Sequence, residues 1–128
     1  GRGMRGLLAP SDVPLGAGRA ARFDDLVVDA VEHVRRRRPA ELDGIEFAVD
    51  DVPSLEGWDR DWVPLARTFP AEGTLPARLV VYRRPVETRA TGIRDLAALV
   101  HDVVVEELAE LLGMEPDQLD PGYGRAED

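Results

Sequence analysis

Cysteine is missing from all 128 residues, which removes disulfides, thiolate metal ligands and a cysteine nucleophile together. Histidine is scarce too. His33 and His101 are the only two, so any metal centre must draw on them or on carboxylates. Aromatic residues make up 5% of the chain. No apolar run reaches the roughly 18 residues a membrane span requires, and no charged start leads into an apolar signal region. A soluble cytoplasmic protein without membrane contact is therefore expected. Positive charge is also short: the net charge of -9 argues against a nucleic-acid partner, which needs a cationic surface to displace counterions. Arg35 to Arg38 are the local exception, and such a run is usually a solvated helix end. What remains, 44% hydrophobic over this length, suffices for one compact domain. The chain opens with Gly1 rather than Met, which leaves a preceding segment open.

Residues 1–21 hold several glycines and prolines without periodicity and read as a flexible N-terminal arm. From residue 22 a domain extends to residue 120, and 121–128 form an acidic tail. Phe23, Leu26, Val27, Ala30, Val31 and Val34 recur at helical spacing, and Pro39 stops that helix. In IEFAVDDV, Ile45, Phe47 and Val49 alternate with polar residues, as in a half-buried strand. The long segment from Ser54 to Ala77 is expected to pack Trp58, Trp62 and Phe69 onto the domain and has room for a further strand. Leu79 to Arg83 reads as a strand. A final helix runs from Gly92 to Gly113, glycine being the expected stop. The fold class is α+β, a small sheet packed against an N-terminal and a C-terminal helix.

The last helix carries the functional signal, VVVEELAELLGM. At about 100 degrees per residue, Ile93, Leu96, Ala97, Val100, Val103, Val104, Leu108 and Leu111 fall within roughly 80 degrees of Val100. Glu107 lies about 20 degrees from that direction, Glu110 about 80 and Glu106 about 120. A core-facing carboxylate costs several kcal/mol unless it is paired, protonated or open to a cleft. An arginine, from Arg67, Arg83 or Arg84, is the expected partner, since it stays charged when half-buried and bridges carboxylates.

The segments PARLVVYRRPVE and VHDVVVEELAELLGMEPDQLD, in this order of elements, resemble the small bacterial zincin-like metallopeptidase family. Its members carry a strand of the form L-P-x-R-I-x-x-Y-R-x-P-I-E followed by a helix with H-E-x-x-H-x-x-G-x-x-D. The resemblance covers about residues 22 to 119 and implies a minimal zincin-like fold. In that motif two histidines a turn apart bind zinc, and the adjacent glutamate activates water. Position by position, the histidines fall on Glu106 and Glu110, the catalytic glutamate on Glu107 and the glycine on Gly113. The third ligand position falls on Pro116, beside Glu115 and Asp117. His101 lies about 140 degrees from Glu106 and faces elsewhere, and His33 reads as a surface residue near its helix end.

The resemblance therefore implies a family member with a rebuilt zinc site, retained for binding or regulation of an unknown peptide or protein, with no cofactor expected. The alternative is a metal-dependent hydrolase or peptidase. In it Glu106, Glu110 and Asp117 would hold a hard divalent cation and Glu107 would act as the base. A monomer or weak oligomer is expected.

Overall fold

The computed structural model describes residues 4–7, 18–54 and 63–124. Its elements are β1 (Met4–Leu7), α1 (Gly18–Arg37), α2 (Pro39–Leu42), β2 (Glu46–Asp50), β3 (Ala66–Phe69), β4 (Arg78–Tyr82), α3 (Arg83–Arg89), α4 (Ile93–Leu112) and α5 (Pro116–Leu119). The strands form one sheet in the order β1-β2-β4-β3. β2 and β4 are parallel, with Phe47 opposite Leu79 and Val49 opposite Val81. β3 and β1 pair antiparallel at the two margins. This is the expected α+β architecture.

Alternation along the strands produces two apolar faces. Phe47, Val49, Leu79 and Val81 join the main core beneath the helices. Ala48, Val80 and Tyr82, with Phe69 against them, form a smaller cluster. α1 buries Phe23, Val27, Ala30, Val31 and Val34, the face its periodicity predicts. Its last turn holds Arg35, Arg36 and Arg37, where cations complement the exposed carbonyls.

α4 departs from a one-sided pattern. Val105 and Ala109 are buried beside Val100, Val103, Val104 and Leu108, whereas Ile93 is 53% exposed. The cause is the helix's position: α4 packs against α1, β3, β4, α3 and α5, so apolar contact surrounds most of its girth. Its first turn, with Ile93, stands clear. Gly113 ends it at φ 71, a left-handed residue, and the Met114 N–H reaches back to the Ala109 carbonyl at 2.8 Å. Glycine meets this conformation without a Cβ clash.

Several local readings change. β1 lies within the stretch read as a flexible arm, and α1 begins at Gly18, before the first periodic apolar residue. Residues 19–22 propagate the helix without contributing to the apolar stripe. Arg83 opens α3 instead of ending the strand. Pro85 is tolerated there because first-turn N–H groups have no acceptor within the helix, and seven residues are too few to show periodicity. The strand for which Ser54 to Ala77 has room is β3. Trp58 and Trp62 lie outside the described residues.

Candidate functional site

The three motif glutamates occupy different environments on α4. Glu106 and Glu110 are exposed and Glu107 is partly buried. Burial pushes the Glu107 carboxyl up to about 7, and the neighbouring Glu110 and Glu106 charges add to the rise. Burial and two neighbouring like charges both favour the protonated form of this carboxyl.

Arg83, one of the arginines expected beside this cluster, is engaged away from it. Arg83 is 12% exposed and its guanidinium is taken up elsewhere: Nε donates to Asp51 at 3.1 Å and Nη1 to Glu87 at 3.0 Å. It thereby clips the end of β2 to α3. Arg67 lies over the Phe69 ring, 4.9 Å from its centroid. Glu106 instead accepts a short hydrogen bond from the Tyr123 hydroxyl. That bond, reinforced by burial, pushes the Tyr123 phenol up to about 12. The start of the acidic tail is thus docked, with the Tyr123 ring packed on the core. Replacing Tyr123 with Phe is expected to lower stability by about 1 kcal/mol, the usual net value of one hydrogen bond, measured by urea unfolding at pH 7.

Asp117 is exposed on α5. Glu106, Glu110 and Asp117 are not among the ligand-bearing groups whose donor atoms converge in the described residues. The zinc implied by the family resemblance does not fit here. Positions 106 and 110 offer oxygen where that metal prefers imidazole, and the Glu106 carboxylate is already engaged by a phenol.

Convergence occurs elsewhere. His33 from α1, His101 from α4 and Asp120 at the end of α5 each place a potential ligand atom within 4.8 Å of the others. His101 Nε2 lies 2.5 Å from Asp120 Oδ2, and His33 Nε2 lies 3.6 Å from Oδ1. The imidazole rings meet edge-on, centroids 5.3 Å apart. Asp120 is 2% exposed and its Oδ1 accepts the Gly122 N–H at 3.0 Å. Burial alone would raise its pKa. The Gly122 N–H, the His101 hydrogen bond and the charges of both imidazoles when protonated outweigh that effect and hold it below the usual carboxylate value. The expectation that His101 faces away from Glu106 agrees with this arrangement, since it turns toward α1. His33 is exposed, as expected, and its ring lies beside the Asp120 carboxylate. The signal in the sequence was thin: the only two histidines, each on a helix with a strong apolar face. The register between those helices, which joins them, is tertiary.

The family model for zincin-like metallopeptidases matches residues 25–125. No curated protein sequence matches the chain. The family match runs from within α1 through Tyr123 and includes β2, β3, β4 and the glutamate-bearing helix, so the chain belongs to the zincin-like metallopeptidase family.

Proposed function

We propose that this chain is a zincin-fold protein without the family's zinc peptidase chemistry, retained to bind a peptide or protein partner. The observation that carries the proposal is the donor set on α4. The two exposed positions a turn apart carry carboxylates, one of them held by Tyr123, and a lone glutamate without an activated metal-bound water is a poor hydrolase. Support for partner binding comes from the sheet margin. β3 is an outer strand in the order β1-β2-β4-β3, and among the described residues no strand pairs with its far side. An extended peptide can add to such an edge through main-chain hydrogen bonds.

One observation favours the metal-dependent hydrolase reading. The Glu107 carboxyl titrates near 7, the range suited to a general base at neutral pH. The two readings separate in a peptide-hydrolysis assay with zinc, magnesium or manganese supplied. No hydrolysis above background is expected with any of them. Hydrolysis abolished by Glu107→Gln would overturn the proposal, as would submicromolar zinc binding that disappears in Glu106→Ala/Glu110→Ala.

A further inference from the structure

We propose that His33, His101 and Asp120 form a binding site for a zinc-type divalent cation, separate from the helix position where the family binds its metal. Two imidazole nitrogens and one carboxylate are a donor set zinc favours, and three protein ligands leave a fourth position open. Ligand atoms about 2.0–2.1 Å from a tetrahedral zinc stand roughly 3.3–3.5 Å apart. The 3.6 Å between His33 Nε2 and Asp120 Oδ1 is already close to that spacing. The His101 contact, at 2.5 Å, is a hydrogen bond that metal binding exchanges for coordination, with the proton released to solvent.

Three observations support a built site over a chance contact. The ligands stand on α1, α4 and the end of α5, and the packing of α1 and of α5 on α4 fixes their relative positions. Asp120 Oδ1 also accepts the Gly122 N–H, the kind of additional hydrogen bond that orients a metal-ligating carboxylate. Both histidines of the chain converge on the one charged side chain buried among the described residues, although a single imidazole would suffice to pair it. The cluster opens into a cleft of about 600 Å³, lined also by Leu26, Asp29, Ala30, Arg36 and Ala97. The open coordination position therefore faces space large enough for water or a small anion, with Arg36 at hand for the latter.

The test uses the full chain, freed of any affinity tag and stripped with chelator. It is titrated calorimetrically with zinc chloride, then with cobalt chloride followed by absorption spectroscopy. One equivalent of zinc is expected to bind, and cobalt is expected to give the visible bands of a low-coordinate nitrogen- and oxygen-ligated ion. His33→Gln and His101→Gln are each expected to weaken binding at least tenfold, in line with the loss of one of three ligands. Glu106→Ala/Glu110→Ala is expected to leave it unchanged. Asp120→Asn removes a buried carboxylate and could unfold the chain. His33, whose side chain is 47% exposed, supplies the variant whose fold is verified by circular dichroism before titration. Absence of zinc and cobalt binding at millimolar concentration would overturn the proposal and leave a hydrogen-bonded clip between helices. Binding that survives the double His33→Gln/His101→Gln change would also overturn it. If that residual binding is lost in Glu106→Ala/Glu110→Ala, the proposed function fails as well, whereas loss in the histidine variants alone leaves it standing.

Discussion

Replacing Glu106 and Glu110 together with histidine is expected to create a zinc site on α4, tightening zinc binding at that position by roughly a hundredfold, equivalent to about 2.7 kcal/mol. The two positions are four residues apart on a regular helix, so their side chains stand one above the other and two imidazoles can grip one ion. Both native side chains are exposed, so the exchange costs little packing. The measurement is calorimetric titration of Glu106→His/Glu110→His in a His33→Gln/His101→Gln background, which confines any gain to α4. Unchanged affinity would mean that the family geometry has been lost from the backbone or its surroundings and not from two side chains alone. Tyr123, which donates to Glu106, is then the first candidate obstacle, and adding Tyr123→Phe tests it.

The second large effect concerns Glu107. Its folded-state carboxyl is pushed up to about 7 from 4.5, so the folded chain binds this proton more tightly than the unfolded chain. Its contribution to stability is fully present below about pH 4.5 and is lost as pH rises through about 7. Glutamine imitates the protonated side chain and cannot ionise. At pH 8, Glu107→Gln is therefore expected to be more stable than the native protein by roughly 1–3 kcal/mol, at about 1.4 kcal/mol per pKa unit reduced for partial exposure. At pH 4 the two should agree to within a few tenths of a kcal/mol. Urea unfolding at both pH values measures the difference. A variant that is less stable at pH 8 would show that the charged carboxylate has a stabilising partner.

Stability gained by removing a native charge is a familiar signature of a functional position. In the function proposed above, Glu107 stands at the position of the family's catalytic glutamate, with Glu106 and Glu110 at the positions of its metal-binding histidines. The raised Glu107 pKa and the Tyr123 hydroxyl on Glu106 both ease the tension on α4, and Arg83 takes no part in it. Arg83 was a reasonable candidate from its place at the end of β4, but Asp51 and Glu87 lie nearer.

The sequence alone determined the helices and strands whose apolar residues repeat: α1 from Phe23 onward, β2, β4, and α4 with its Gly113 stop. Periodicity reports which side of an element meets the core, and burial of that side is the dominant local constraint. The family and the placement of Glu106, Glu107 and Glu110 were also legible, because the motif is contiguous on one helix. Tertiary structure decided what depends on distant partners. Val105 and Ala109 are buried because α4 is enclosed by other elements on several sides, which no single-helix pattern reveals. β1 and α3 are short elements fixed by strand pairing and by the Arg83 ion pairs. His33, His101 and Asp120 are separated by 68 and 19 residues along the chain and meet only because α1 and α5 pack on α4 in one register. That register is set by apolar side chains, which carry no mark of the polar groups they bring together.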